Sequence, residues 1–76
     1  MALHGILTSV EDDGTVIIKN QKGQLIGYLL SPGVTVEDHH GRRISLGDIR
    51  LPYNVYFEYE YAPKGFTITL IKKVAG

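Results

Sequence analysis

The sequence predicts an all-β fold, in which five or six short antiparallel strands form a meander that closes into an OB-like barrel. Three observations support this prediction: the 76 residues include no cysteine, apolar residues alternate with polar ones, and several of the nine glycines end turn-forming tetrapeptides. The length allows one domain over residues 1–76, and so short a chain without disulfides has a small core.

Four tetrapeptides with glycine in the fourth position predict type I turns in which the glycine is left-handed. They are Glu11–Gly14, Asn20–Gly23, Asp38–Gly41 and Ala62–Gly65. We expect each of them to join antiparallel strands. A fifth break, Ser31–Val34, has proline and glycine at its centre and predicts a type II turn.

The segments between the turns are rich in β-branched and aromatic residues, which predicts strands. They are Leu3–Val10, Thr15–Lys19, Leu25–Leu30, Tyr53–Tyr61 and Phe66–Val74. Before the last two strands, Ser45 and Asp48 form a capping-box pattern that Pro52 prevents from extending. We therefore predict one helical turn near residues 45–50.

The last two strands show the clearest alternation, which assigns one face of each to the core. In the first of them this face carries Val55, Phe57, Tyr59 and Tyr61. In the second it carries Phe66, Ile68, Leu70 and Val74.

A sheet of this size with one buried face has two open edges, and a chain of 8.4 kDa has no helices to cover them. We expect the first strand to pair with the last and close the barrel, or the edges to meet in a homodimer. A protein partner, including a second copy of the chain, is therefore the leading prediction.

The layout is similar to small bacterial OB-like β-barrel domains of unknown function, which are often found in exported or envelope proteins. The resemblance covers most of the chain and is carried by turn glycines and apolar alternation. It runs through Gly5-Ile6, Asp13–Val16, Val34–Val36, Ile44–Ile49 and Val55–Phe57. It implies an OB-like barrel without agreed catalytic residues, consistent with a non-enzymatic binding or protein-interaction module.

The formal net charge is zero, which excludes a protein covered with phosphate-binding positive charge. The two halves differ, since residues 1–38 hold five acids and two bases, whereas residues 39–76 hold three acids and six bases. These bases form either a patch for an anionic partner or an ordinary solvated surface balanced by nearby acids. They are Arg42, Arg43, Arg50, Lys64, Lys72 and Lys73.

Tyr56 lies on the predicted polar face between Asn54 and Glu58. It is either a contact for a base or sugar ring or a cross-strand packing partner. The candidate ligand site combines it with the three arginines Arg42, Arg43 and Arg50. The corresponding alternative function is an OB-like binder of single-stranded nucleic acid or oligosaccharide.

The adjacent His39 and His40, with Glu37 and Asp38 before them, make a candidate metal site because imidazole and carboxylate ligate transition metals. The alternative is an exposed turn, because a metal normally needs three or four converging ligands. The strand residue His4 is a candidate third ligand.

Catalysis finds no support, since no cysteine nucleophile, nucleophile elbow or phosphate loop occurs, and we expect neither an enzyme nor a cofactor. No apolar run approaches the roughly 20 residues that span a bilayer. The segment Met1–Val10 lacks a basic start and a long apolar stretch, which predicts a cytoplasmic protein. The resemblance implies a periplasmic or envelope location if a signal peptide was removed.

Overall fold

The computed structural model describes residues 2–75, which form a closed barrel of five strands. The strands are β1 (Ala2–Val10), β2 (Thr15–Lys19), β3 (Leu25–Glu37), β4 (Tyr53–Ala62) and β5 (Gly65–Lys73). A single turn of 3₁₀ helix, Leu46–Asp48, lies between β3 and β4. The predicted all-β class, barrel closure and helical turn are confirmed. Within residues 2–75, no helix is long and apolar enough to cross a membrane.

The four turn glycines adopt the predicted left-handed conformation. Gly14, Gly23 and Gly41 have φ angles of 85°, 81° and 83°, and Gly65 has a φ angle of 128°. The amide of each of the first three donates to the carbonyl three residues earlier, at 3.0–3.2 Å. The turns ending at Gly14 and Gly23 join antiparallel strands, as predicted, and set their register. The Asp38–Gly41 turn leads only to an isolated antiparallel bridge between Glu37 and Arg43, so the prediction that it joins two strands is wrong.

The strand order around the barrel is β1-β2-β3-β5-β4, which differs from a simple meander. β1 pairs antiparallel with β4, and β3 pairs parallel with β5, so the expected pairing of the first strand with the last is wrong. With five strands in an up-and-down order, the first and last strands point the same way, and closure needs one parallel pair. The chain places that pair between β3 and β5.

β3 makes this closure possible because it bends and changes partner along its 13 residues. Residues 25–29 pair with β2, whereas β5 pairs with Leu29 and Leu30 and, after a register shift, with residues 35–37. The predicted turn at Ser31–Val34 is therefore wrong, because these residues form the bend inside the strand. Pro32 fits there because it has no amide proton to donate to a ladder.

The core lies inside the barrel and receives residues from every strand. Ile49, which follows the 3₁₀ turn, is 4% exposed and adds to the core where β3 ends and β4 begins. The other buried apolar residues are Leu7, Val16, Ile18, Tyr28, Val36, Val55, Phe57, Ile68 and Ile71.

A bulge in β5 changes which of its residues face the core. Glu58 pairs with Leu70, but the next residue, Tyr59, pairs with Ile68, so one extra residue lies on β5. Beyond this point Ile71 is fully buried, whereas Leu70 is only half-buried. The predicted core position of Leu70 is therefore wrong, because the extra residue inverts the alternation.

Candidate functional site

The β2–β3 hairpin and the β4–β5 hairpin both turn at the end of the barrel where β1 begins. β1 and β3 both start at this end, β2 ends there, and the antiparallel hairpin of β4 and β5 turns there. The β4–β5 hairpin extends beyond its neighbours, since the described pairing of β1 with β4 stops at Glu58 and that of β3 with β5 starts at Thr67. Tyr61 and Phe66 form a cross-strand pair on this extension.

Aromatic rings connect this hairpin to the core. Tyr61 is 77% exposed and meets the 47% exposed Phe66 edge to face, with ring centroids 5.4 Å apart. Phe66 meets Tyr59 at 5.3 Å, and Tyr59 meets Tyr28 at 5.6 Å. Tyr28 in turn meets the buried Phe57 at 5.3 Å. We call the three rings of this series that lie nearest the surface, those of Tyr59, Tyr61 and Phe66, the aromatic end.

Tyr28 connects this series of rings to the core of the barrel. Burial raises the pKa of its phenol, and Tyr59 adds a smaller effect in the same direction. The phenol therefore stays neutral at physiological pH. The rings behind the surface are held by close packing, so the exposed rings rest on a rigid base.

A cavity of about 400 Å³ lies beside these rings, and the β2–β3 turn contributes its amide side chains to the cavity wall. Asn20 holds this turn in shape, because its Oδ1 accepts hydrogen bonds from the amides of Lys22 and Gln24, each at 2.9 Å. The cavity is lined by Leu3, His4, Ile18, Asn20, Gln21, Lys22, Gln24, Ile26, Tyr28 and Phe57. The same end of the barrel thus offers apolar rings and neutral polar groups.

Tyr56 lies on the outer wall of the barrel, on the face that the alternation predicts. Its ring meets the ring of His4 at 5.4 Å, and its hydroxyl donates to Glu58 Oε2 at 2.9 Å. The Glu58 carboxylate thereby raises the pKa of the Tyr56 phenol. A groove of about 540 Å³ beside it also includes His39 and Lys72.

None of the three arginines lines the groove beside Tyr56. Arg42 pairs with Asp38, with Nε and Oδ2 3.3 Å apart, and Arg43 lies 3.5 Å from the Thr35 hydroxyl. Arg43 lines a separate cavity with Leu46, and Arg50 lines neither of these two cavities. The joint site of Tyr56 and the arginines therefore remains a prediction.

The histidine pair lies in the Asp38–Gly41 turn. The amides of His40 and Arg42 donate to Asp38 Oδ1 at 2.9 Å, and these bonds, that of Arg42 first, hold the Asp38 pKa below its ordinary value. The rings of His39 and His40 lie 3.9 Å apart. Over residues 2–75, no three His, Asp or Glu side chains are arranged to hold a metal ion.

We therefore expect added zinc or nickel to change Tm by less than about 2 °C, because two exposed ligands bind metal too weakly to stabilise the fold. Thermal unfolding followed by circular dichroism, with and without each metal, measures this. A larger rise that His39→Ala abolishes and His4→Ala reduces would instead establish the predicted metal site. His40→Ala should also reduce such a rise, because the predicted site pairs His39 with His40.

The prediction that Tyr61 lies in the core is wrong, since Tyr61 is largely exposed. Tyr61 lies on the same face of β4 as Val55 and Phe57, but at this position the β4–β5 hairpin extends beyond the neighbouring strands. The nearby turn at Ala62–Gly65 is the signal that marks the position as a strand end.

No protein-family model and no curated protein sequence matches the chain. Among solved structures, the fold is similar to that of apo-CusF residues 6–88 from Escherichia coli. The two share a small five-stranded barrel. The TM-score is 0.73 over 99% of this chain and 87% of that chain, with 12% sequence identity. At this identity, the likeness shows the fold alone.

Proposed function

We propose that the chain is a small non-enzymatic binding module that stacks the rings of a neutral oligosaccharide against its aromatic end. The observation that carries the proposal is the run of rings from the buried Phe57 to the exposed Tyr61. An exposed ring supported by packed rings offers a flat apolar surface without paying further ordering entropy.

The barrel topology supports the prediction that this module has an OB-like fold. An antiparallel barrel that is completed by a parallel pair and contains one helical turn accommodates the OB-like arrangement that the sequence resemblance implies. Barrels of this kind bind oligonucleotides and oligosaccharides. The fold therefore admits both ligand classes, and the local charge has to decide between them.

The charge around the aromatic end favours a neutral ligand. Lys64 lies in the β4–β5 turn and Lys22 in the β2–β3 turn, whereas Glu60 lies on β4 next to Tyr61, so the excess positive charge at this end is small. Affinity for nucleic acid comes largely from basic groups that neutralise phosphates. The amides of the adjacent cavity, Gln21 and Gln24 among them, suit sugar hydroxyls instead.

Titration of the ¹⁵N-labelled protein with cellohexaose and with mixed single-stranded DNA at low salt tests the proposal. We expect the sugar to shift amide signals of residues 59–66, and Tyr61→Ser to weaken its binding about tenfold, because a stacked ring is worth roughly 1–3 kcal/mol. Tyr56→Ser is the matched control and should leave the affinity unchanged, because Tyr56 lies on the outer wall.

Three outcomes would contradict this proposal. DNA-induced shifts at Tyr56, Arg42 and Arg43 would instead favour the ligand site predicted from the sequence. No shift with millimolar sugar would remove the oligosaccharide. A dimer in light scattering that Tyr61→Ser dissociates would assign the aromatic end to a second copy of the chain.

A further inference from the structure

A smaller cavity of about 280 Å³ lies on the outer wall of the barrel, across β1. Gly5 and Leu7 are directed to the core, so Ile6 between them faces outward. Ile6 is paired with Lys19 of β2 on one side and with Asn54 of β4 on the other. Directly opposed residues project from the same face with Cβ atoms about 5 Å apart, so the three side chains form a row across the outer wall with Ile6 between the other two.

The chain after β5 completes this cavity. The amide of Val74 donates to the carbonyl of Asn54 at 3.1 Å, which brings Val74 against the row. Ile6 and Val74 therefore supply apolar surface, and Lys19 and Asn54 supply polar groups at its border. The full lining is His4, Gly5, Ile6, Lys19, Asn20, Gln21, Asn54, Val55 and Val74.

The charge of this cavity is of one sign. In the part of the chain that the structure describes, its lining includes the Lys19 ammonium, an imidazole and three side-chain amides, but no carboxylate. The neighbouring groove beside Tyr56 differs, because Glu37 and Glu58 line it and offset the charges of Lys72 and Lys73. An anion is therefore favoured in the first cavity over the second.

We propose that this cavity binds a small monocarboxylate with a compact apolar body. The carboxylate contacts Lys19, and the apolar body covers Ile6 and Val74. An ammonium group donates charge-assisted hydrogen bonds to a carboxylate. The volume lies just below the range of small-molecule sites, which run from about 300 to 1,000 Å³, so a body the size of one ring is the upper limit.

Benzoate and its uncharged analogue benzamide test the role of charge. We expect benzoate to shift the amide signals of Ile6, Lys19, Asn54 and Val74, and benzamide to bind at least about fivefold more weakly because it lacks the charge-assisted contact. N-acetylvaline distinguishes the source of the carboxylate. If it binds more tightly than benzoate, the carboxylate belongs to a peptide C terminus.

Lys19→Gln should weaken benzoate binding about three- to fivefold, as expected for one exposed charge pair, and leave benzamide binding unchanged. Lys64→Gln is the matched control, since Lys64 lies in the β4–β5 turn and does not line the cavity. The proposal is overturned if benzoate causes no shift at tens of millimolar, if benzamide binds equally well, or if both lysine variants have the same effect. None of these results depends on the aromatic end.

Discussion

Phe57→Ala should lower the free energy of unfolding by about 3–5 kcal/mol, the range observed when a buried aromatic side chain is removed. Phe57 is 2% exposed, and its ring lies edge to face on that of Tyr28, 5.3 Å away. Its removal leaves a cavity in a core whose most buried part, within residues 2–75, consists of ten residues. A domain of this size has a small margin of stability, so the loss is a large share of the total.

Urea unfolding followed by circular dichroism measures the change. Tyr61→Ala is the matched control, because Tyr61 is an aromatic residue of the same strand and the same phase, but 77% exposed, and its effect should stay within about 0.5 kcal/mol. If Phe57→Ala is unfolded without urea, Phe57→Leu replaces it, with an expected loss below about 1.5–2 kcal/mol. Equal effects of the Phe57 and Tyr61 variants would contradict the barrel packing.

The alternation along β4 shows how far sequence reasoning reaches. Val55, Phe57, Tyr59 and Tyr61 were predicted to share a face, and the first two are buried while Tyr59 is half-buried. The periodicity of apolar residues shows which face of the strand a side chain lies on, but not how deeply that side chain is buried. How deeply a residue of β4 is buried depends on the strands that pair with β4, and that pairing cannot be read from the sequence of β4 alone.

The partner change of β3 and the bulge in β5 mark a second limit. Proline and glycine at Ser31–Val34 suit a turn and a strand bend equally well, and the choice between them depends on the pairing with β5. The bulge adds one residue on β5, and Leu70 and Ile71 are both apolar. Because both residues are apolar, the sequence is compatible with either of them facing the core. The register with β4 is what places Ile71 there.

The candidate sites depend on the same non-local pairings. Lys19, Ile6 and Asn54 come from three separate segments of the chain and become neighbours only because β1 pairs with both β2 and β4. The sequence suggested sites from residues near in the chain, such as His39 with His40. Residues that are near in the chain can share a turn, whereas a site on the wall of a barrel is formed by residues from several paired strands.

Gly5→Ala should lower the free energy of unfolding by about 2–3 kcal/mol, because the added methyl group overpacks a full core. A Cβ at this position would lie 2.5 Å from Ile18 Cγ2 and 3.0 Å from the carbonyl oxygen of Lys19. Phe57 Cε1 is also in contact, at 3.5 Å. The backbone oxygen belongs to the β1–β2 ladder and cannot move without loosening that pair.

Gly33→Ala is the matched control, since a Cβ there would have no neighbour within 4 Å and the backbone has no positive φ. Its effect should be neutral or slightly stabilising, because alanine reduces the freedom of the unfolded chain. Urea unfolding of both variants makes the comparison, and a Gly5→Ala variant as stable as Gly33→Ala would contradict the packing of β1 against β2.

A double-mutant cycle separates the two contacts of the added methyl group. Ile18→Ala removes the closest atom, so the double variant Gly5→Ala/Ile18→Ala should lose less stability than the two single variants together. Interaction energies between touching residues run from about 0.5 to 3 kcal/mol. Relief should be incomplete because the Lys19 carbonyl stays in place, whereas additive losses would mean that Ile18 is not the group with which the methyl collides.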